Sequence, residues 1–320
     1  MAKAQQSRPK RLAAAVRAKI ERAKVRRTKG RLRDCLVGKT SVERYKKHVK
    51  CFLDWLEGEG LDVPTSTDEF DPLLSRWAEV LWQEGDSKSV LAYCLSGWAH
   101  FVPSLKLRMA GTWRMYHGWS KMEKPKQAPP LDLVMLQGIA GWMAQHGYRR
   151  AALLMLTAFH CILRISELLE LRTGDISTQS RGLLLTLRDT KIGSRVGVHQ
   201  EVSVVDQWLT ARLQELVQHT PSGRTLVDCT GPAYRSIWRR AVDACRTPRR
   251  FTPYSLRRGG ATATFRRSGS FDFVAERGRW TTTRALRIYI NAALLVSAEG
   301  DATPWHSRCK EFTKALTTHL

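Results

Sequence analysis

The sequence has few acidic residues and no long apolar run. Its 320 residues include 29 aspartates and glutamates against 53 lysines and arginines, which gives a formal net charge of +24. An excess of this size makes a polyanion, above all nucleic acid, the expected partner. The longest apolar candidate, Ala151 to Leu163, falls short of the roughly eighteen residues of a membrane span, so we expect a soluble protein with no membrane partner.

Paired cysteines and a secretory leader are also missing. The 7 cysteines are scattered, with no C-x-x-C pair of the kind that binds zinc or performs redox chemistry. The N-terminus has neither the apolar core nor the small-residue cleavage site of a secretory signal, although its composition is compatible with a basic transit peptide. We expect reduced thiols and an intracellular location, which is the nucleus if the source is eukaryotic.

A basic arm occupies residues 1–36. Up to Arg33 its many lysines and arginines are opposed only by Glu21. Two interpretations stay open: a solvated, disordered tail, or a helix that forms on DNA. A run such as Lys24 to Arg33 is also compatible with nuclear import.

Residues 37–121 are expected to form a small helical domain that binds DNA. Apolar positions recur there at helical spacing without a strand-like alternation. The four predicted helices are marked by Tyr45 to Leu56, Phe70 to Gln83 behind cap candidates at Ser66 to Asp68, Ser87 to Phe101, and roughly Leu105 to Trp119. Three cations on or beside the fourth helix are candidates for DNA contacts: Arg108, Arg114 and Lys121.

The proline and charge content of residues 122–130 predicts an extended linker, so a second domain is expected at residues 131–293, with a tail at 294–320. Helical patterns and a strand region follow the linker. The predicted helices are Leu131 to His146 and Arg149 to Leu163, and the predicted strands are Leu183 to Arg188 and Val196 to Val204, joined by a hairpin turn at 191–194. The fold class is therefore mainly α with a small antiparallel β hairpin or sheet.

Arg164 follows the apolar run that ends at Leu163. A guanidinium is costly to bury unless a charged partner or a phosphate receives its donors. Glu167 lies three positions later, on the same helical face, and is expected to orient Arg164. An ordinary structural ion pair explains this pattern equally well.

Lys191 lies beside the predicted hairpin turn. A lysine in such a place is usually only solvated. Its ammonium group is also suited to protonating a departing alkoxide in a DNA groove.

The segment Thr252 to Thr262 predicts a helix with Thr252 as N-cap and Pro253 in the first turn. Tyr254 and Arg257 then share one face of the positive helix end, which suits a phosphate. Gly259 and Gly260 are explained either by a close approach of DNA or by tight helix packing.

Residues 278–290 place Trp280 nine positions before Tyr289. Thr281 is a suitable cap for a short helix that ends near Tyr289. Arg284 and Arg287 make the surroundings of this tyrosine polar, which favours an exposed hydroxyl over a packed ring.

Together these motifs make the chain similar to the tyrosine recombinase, or phage integrase, family, over about Val37 to Ala293. The resemblance implies a helical core-binding domain plus an α+β catalytic domain. Its catalytic set, residue by residue, corresponds here to Arg164, Lys191, Tyr254, Arg257, Trp280 and Tyr289, with Glu167 in support. Further arginines beside these motifs are candidates for DNA contacts: Arg258, Arg279 and Arg284. The Leu256 to Thr262 segment and the Gly-Arg-Trp triplet look like versions carried by eukaryotic mobile elements.

The resemblance implies that Tyr289 attacks a phosphodiester to give a 3′-phosphotyrosyl intermediate, without metal, cofactor or ATP. Arg164 and Arg257 would stabilise the anionic transition state with their bidentate forks, and Lys191 would protonate the leaving 5′ oxygen. The expected partner is double-stranded DNA, held between the two domains, with four protomers on two sites. The tail at 294–320 would dock on a neighbouring subunit or pack on its own chain.

Tyr254 departs from the family pattern, which usually has histidine at this position. A tyrosine is a weaker base than histidine at neutral pH. A catalytically weakened, recombinase-derived DNA-binding protein and a type IB topoisomerase-like enzyme are therefore the alternatives to an active recombinase. A metal-dependent nuclease or transposase is less favoured, because no constellation of carboxylates stands out in the sequence.

Overall fold

A computed structural model describes residues 8–124, 128–188, 199–283, 286–287, 290 and 304–320. The internal contacts of the chain divide it into two compact units, Met1–Lys126 and Gln127–Leu320. This division falls within the stretch 122–130 for which the sequence predicts a linker. Each unit has a hydrophobic core of its own.

The described part of the first unit is helical. Its helices are α1 (Arg8–Lys29), α2 (Lys39–Gly58), α3 (Thr67–Gln83), α4 (Lys88–Phe101) and α5 (Ala110–Met122), with 3₁₀ turns at Leu32–Cys35 and Pro103–Leu107. Leucines and aromatic rings build the core of this unit, where the ring centroids of Phe52 and Trp77 lie 5.3 Å apart. Apolar faces at helical spacing were predicted here, and the structure has them on α2, α3 and α4.

The last helix of this unit begins later than the sequence predicts, and Arg108 precedes it. Pro103 starts a separate 3₁₀ turn that ends at Leu107. The helix then starts at Ala110, where the carboxylate of Asp71 accepts hydrogen bonds from the backbone N–H groups of Gly111 and Thr112, each at 2.8 Å. A cap supplied from a distant helix leaves no local sequence pattern, which explains the error.

Residues 8–29 of the basic arm form the helix α1. Lysine, arginine and alanine dominate this segment, and all three have high helix propensity. The described side chains of α1, from Val16 onward, are almost all exposed. The described part of the arm is therefore helical, and its contact with DNA stays a prediction.

The second unit combines helices with one small sheet. Its helices are α6 (Leu133–Gln145), α7 (Arg149–His160), α8 (Ile165–Glu170), α9 (Gln207–Gln218), α10 (Gly231–Ala244), α11 (Tyr254–Ser268), α12 (Phe271–Gly278) and α13 (Pro304–His319); its strands are β1 (Ile176–Gln179), β2 (Gly182–Leu187) and β3 (Gln200–Val204). The mainly α fold class with a small antiparallel sheet is thus confirmed.

The sheet is antiparallel in the order β1-β2-β3. Leu185 in β2 pairs with Ile176 in β1 and with Val202 in β3. The strand β1 is missing from the sequence prediction because its four residues, Ile176–Gln179, show no buried alternation. Within the described residues β3 begins at Gln200, later than the predicted Val196.

Two glycines allow α11 to pack closely on the core. A Cβ atom on Gly260 would overlap the carbonyl oxygen of Phe159 in α7, and one on Gly259 would overlap the carbonyl oxygen of Leu131. Both glycines are buried. Close packing of helices, rather than an approach of DNA, therefore explains this glycine pair.

The C-terminal helix α13 packs on α6 of its own chain. A Cβ atom on Gly138 would overlap the backbone of Cys309, and one on Gly141 would overlap the carbonyl of Phe312. His306 and Asp132 also approach within 2.8 Å. The described part of the tail is thus packed on α6, and docking on a neighbouring subunit stays a prediction.

Candidate active site

Arg164 caps the helix α8 and is held by Glu167. The backbone N–H of Arg164 donates to Oε2 of Glu167 at 2.8 Å, and its Nη1 donates to Oε1 at 2.5 Å. The Arg164 side chain keeps 25% of its surface exposed, whereas the Glu167 side chain keeps 2%. The carboxylate is thus buried beneath a guanidinium that still reaches solvent.

A second arginine binds the same carboxylate. Arg279 donates from Nη2 to Oε2 of Glu167 at 2.6 Å, and more weakly to the carbonyl oxygen of Ile162 at 3.4 Å. It is buried, and burial lowers its pKa while the negative charge of Glu167 opposes this shift. Glu167 therefore binds two guanidinium groups, that of Arg164 three positions earlier and that of Arg279 112 positions later.

Arg257 lies on the first turns of α11 and is 3% exposed. Its Nη1 donates to the carbonyl oxygen of Ile162 at 2.5 Å, and its Nη2 donates to that of Gly278 at 2.6 Å. The carbonyl of Ile162 is thus shared by Arg257 and Arg279. Because a charged guanidinium needs several partners when buried, these carbonyls fix its plane.

The turn that presents this carbonyl is strained. Ile162 has a φ of 52°. A β-branched residue is a genuine outlier in the left-handed region, and such a conformation costs on the order of 1–3 kcal/mol. The surrounding residues maintain it, because the side chain of Ile162 is buried in a cluster that also contains Ala261 and Leu286.

Trp280 completes the described cluster. Its indole ring folds back over Gly278, where a Cβ atom would overlap the ring, and the guanidinium carbon of Arg257 lies 4.3 Å from the ring centroid. This is the arrangement of a cation–π contact. The glycine of the Gly-Arg-Trp triplet is therefore required by the aromatic residue two positions later.

The cluster carries more positive than negative charge. Burial, followed by the charges of Arg164 and Arg279, lowers the pKa of Arg257 to about 9. The group stays protonated at neutral pH, but its charge is incompletely compensated. Such a site favours an anion with oxygens that can accept several N–H donors, as a phosphate does.

Tyr254 lies at the first position of α11 and is 46% exposed. The predicted cap residue Thr252 contributes its backbone, because its N–H donates to Oγ of Ser255 at 3.1 Å and its carbonyl accepts from the Ser255 N–H. The positive end of α11 thus presents Tyr254 outward and Arg257 inward. Both belong to the predicted site.

Three predicted site residues lie outside the described residues: Lys191, Arg284 and Tyr289. On either side of Tyr289 in the sequence, Leu286 and Ile290 are buried in the cluster that contains Ile162. The structure therefore brings together Arg164, Glu167, Arg257 and Trp280.

The candidates for additional DNA contacts divide into exposed and buried residues. Arg108, Arg114 and Lys121 are exposed, and Arg108 also pairs with Asp68 at 3.3 Å. Arg258 and Arg279 are 2% and 8% exposed. Both side chains are buried within the protein, and their contact with DNA stays a prediction.

Two contributors to the site escaped prediction from the sequence. Ile162 was not singled out, since a carbonyl acceptor in a strained turn has no side-chain signature. The pairing of Arg279 with Glu167 joins residues 112 positions apart.

The described residues contain no group of three or more His, Cys, Asp or Glu side chains placed to hold a metal ion. Among the helices of the described ranges, none is long and apolar enough to cross a membrane.

Comparisons with known proteins identify the class. The fold resembles a Tn1549 transposon integrase fragment in complex with transposon right end DNA, with a TM-score of 0.58, 14% identity, and coverage of 92% of this chain and 98% of that one. A lambda integrase dimer bound to a COC′ core site gives a TM-score of 0.57 at 14% identity, covering 94% and 85%. The fold is that of the tyrosine recombinases.

A family model narrows this further. The model of the phage integrase family matches residues 136–294, which include the described cluster. A search of curated proteins finds no match. The chain belongs to the phage integrase family, whose members are tyrosine recombinases that cleave and rejoin DNA.

Proposed function

We propose that this protein is a site-specific recombinase that cleaves and rejoins double-stranded DNA through a 3′-phosphotyrosine intermediate. The observation that carries the proposal is the placement of Arg164 and Arg257 in one cluster, where Arg279 donates both to Glu167, which holds Arg164, and to the carbonyl of Ile162, which accepts from Arg257. Arg257 binds the carbonyl of Ile162, and Arg164 follows two residues later with Glu167 beneath it. The solved structures of similar fold include complexes with DNA, which supports the same partner here.

The arrangement suits stabilisation of a phosphorane-like transition state. The exposed part of the Arg164 guanidinium and the donors of Arg257 would bind nonbridging oxygens of the phosphate. The indole N–H of Trp280 adds a donor of the kind that such sites use. Loss of one preorganised donor of this type costs about a hundredfold to a thousandfold in rate.

Tyr289 would supply the nucleophile. Its phenol gives up its proton to solvent and its oxygen forms a bond to phosphorus, while the bond from phosphorus to the 5′ oxygen breaks and Lys191 donates a proton to that leaving oxygen. A 5′ hydroxyl then attacks the phosphotyrosine and releases Tyr289. The number of phosphoester bonds is conserved, so neither ATP nor a metal ion is needed for this sequence of steps.

The second candidate function is a recombinase-derived DNA-binding protein with weakened catalysis. The observation that favours it is Tyr254, which is 46% exposed at the helix end where the family usually has histidine. A neutral phenol can donate a hydrogen bond to phosphate, but it accepts a proton poorly at neutral pH.

A covalent-trapping assay separates the two functions. The full chain is incubated with a nicked suicide duplex, and the protein–DNA adduct that survives SDS is quantified. We expect an adduct that disappears in Tyr289→Phe and persists in Tyr148→Phe, a matched control in the same unit that loses only the hydrogen bond from Arg240. A wild-type protein that binds the duplex without ever forming an adduct would establish the second function instead.

Assembly is part of the proposal. We infer that four protomers act on two DNA sites, because exchange of strands requires four cleavage events. Analytical ultracentrifugation of the protein with a two-site substrate and with a single-site duplex should show a complex of four chains only in the first case.

A further inference from the structure

We propose that Arg279 is a positioning residue of the recombination site, which orients Arg164 through Glu167. This inference deepens the proposed function and rests on it. Arg279 is 8% exposed. Its side chain ends on the carboxylate that holds Arg164.

The shared carboxylate is the first observation. Oε1 of Glu167 accepts from Nη1 of Arg164 at 2.5 Å, and Oε2 accepts from Nη2 of Arg279 at 2.6 Å. Because Arg279 occupies one oxygen, Arg164 makes a single side-chain bond to Glu167. The remaining donors of Arg164 stay available for a phosphate.

The backbone of Arg279 is the second observation. Helix α12 ends with Arg279 in the left-handed region, at φ 57° and ψ 44°. Glycine is the usual residue at this position after a helix, because it has no Cβ to strain. In this chain the glycine lies one position earlier, at Gly278, so an arginine is kept in a conformation that disfavours it. The bond from the Arg279 side chain to Glu167 therefore offsets the free-energy cost of this backbone conformation.

The accessibility of the guanidinium is the third observation. Nε and Nη1 of Arg279 are buried and have no hydrogen-bond partner within the described part of the chain. They are closed off from solvent, and a DNA phosphate would need the surrounding chain to move before reaching them. Arg279 thus acts on the reacting phosphate through Glu167 and Arg164 rather than by direct contact.

Without Arg279, Arg164 would be the one guanidinium among the described residues that is hydrogen-bonded to Glu167. Both oxygens of the carboxylate would then attract the Arg164 guanidinium, which would form a bidentate ion pair and move away from the phosphate. A displacement of about 1 Å in a catalytic group can cost on the order of a hundredfold in rate. The expected consequence is a slower chemical step with DNA binding largely intact.

Arg277 provides a matched control, because it is an arginine in the last turn of α12, two residues before Arg279, with a purely structural set of partners. It donates to the carbonyl oxygen of His160 at 3.2 and 3.0 Å and to that of Ser203 at 3.4 Å. No carboxylate is among these partners. Substitution of Arg277 tests the loss of a half-buried arginine without disturbing Glu167.

The first experiment measures the single-turnover rate of adduct formation on the nicked duplex at saturating DNA, together with the Kd for DNA. In Arg279→Gln we expect the rate to fall about tenfold to a hundredfold and the Kd to change by less than about threefold. Arg279→Lys should recover part of the rate, and Arg277→Gln should leave it near the wild type. An unchanged rate in Arg279→Gln, or a loss of DNA affinity that accounts for the slower rate, overturns the proposal.

The second experiment does not depend on catalysis. The Nε–Hε NMR resonance of Arg164, assigned by its disappearance in Arg164→Lys, is recorded without DNA. It should shift in Arg279→Gln and stay in place in Arg277→Gln; if Arg279→Gln does not fold, Arg279→Lys replaces it. A resonance that does not move overturns the positioning role. A resonance that moves in a protein whose wild type forms no adduct supports the positioning role and refutes only the proposed function.

Discussion

The guanidinium carbon of Arg257 lies 4.3 Å from the centroid of the Trp280 indole ring. The hydrogen bonds from Arg257 to the carbonyl oxygens of Ile162 and Gly278 hold the edge of its guanidinium, and the indole ring covers the face. A stacked contact of this kind contributes about 0.5–2 kcal/mol, more when it is removed from water. Trp280 therefore orients an arginine in addition to any hydrogen bond that its N–H donates.

Substitutions at Trp280 should separate stacking from donation. Trp280→Ala removes both, and we expect the adduct to form about tenfold to a thousandfold more slowly. Trp280→Phe retains a ring face and loses the N–H, so its rate should lie between those of Trp280→Ala and the wild type. Single-turnover trapping measures all three. Equal rates for the phenylalanine and alanine variants would show that stacking contributes nothing.

Gly260 should not tolerate a methyl group. Its added Cβ atom would overlap the carbonyl oxygen of Phe159, so Gly260→Ala should lower the free energy of unfolding by about 1–3 kcal/mol or more. Gly118→Ala is the control, because nothing lies within 4 Å of its added Cβ in α5 and alanine favours a helix by up to about 1 kcal/mol. Urea unfolding measures both. A Gly260→Ala protein as stable as the wild type would mean that α11 and α7 can separate without cost.

Local patterns were sufficient for the helical units and for the motif residues Arg164 and Arg257. Helical periodicity, caps such as Ser66 and the charge of the chain depend on neighbours within a few positions. The strand β1 was not predicted, because its four residues do not alternate between buried and exposed positions. The start of α5 escaped because Asp71, from another helix, supplies its cap.

The electrostatic arrangement of the site could not be predicted for a related reason. The ion pair between Glu167 and Arg279 depends on the path of the chain between them, and the sequence shows each residue as a separate charge. The same applies to the carbonyl of Ile162, which receives two arginines only because its backbone adopts a φ of 52°. Tertiary contacts of this kind decided which arginines are buried.

The protein should lose stability as the pH falls from about 6.5 to about 4. The pKa of His160 is lowered to about 4, mainly by burial, with the charges of Arg277 and Arg267 adding to the shift and that of Asp206 opposing it. Between this value and the ordinary value of 6.5 the unfolded chain binds more protons, so the free energy of unfolding decreases as pH drops through this window. The expected loss is on the order of 2 kcal/mol after discounting for the exposed part of the ring.

His160→Leu tests this origin directly. The Nε2 atom of His160 is buried with no hydrogen-bond partner among the described residues, so leucine should fit without leaving a partner unsatisfied. Urea unfolding at a series of pH values should give a flatter profile for the variant between pH 6.5 and about 4. A profile as steep as that of the wild type would assign the acid sensitivity to other groups.

Histidine at position 254 should accelerate cleavage. Tyr254 is 46% exposed, so Tyr254→His should fold normally. A neutral imidazole accepts a proton near pH 7, and we expect adduct formation at least about tenfold faster, with the gain lost at low pH as the ring becomes protonated. Tyr254→Phe is the control that removes the hydroxyl without supplying a base. Identical rates for all three proteins would place residue 254 outside the reaction.

Removal of the charge of Glu167 should make the fold depend on anions. Glu167→Gln leaves Arg164 and Arg279 with an amide in place of the carboxylate, and breaking a buried ion pair costs about 3–5 kcal/mol. The same loss makes the cluster more positive, so an anion that reaches Arg164 should stabilise this variant more than the wild type. Thermal melting with inorganic phosphate, compared with chloride at matched ionic strength, measures the difference. Glu167→Asp keeps the charge, so phosphate should raise its melting temperature by as much as that of the wild type. If phosphate stabilises Glu167→Gln no more than the wild type, phosphate binds elsewhere and the carboxylate does not set the charge of the site.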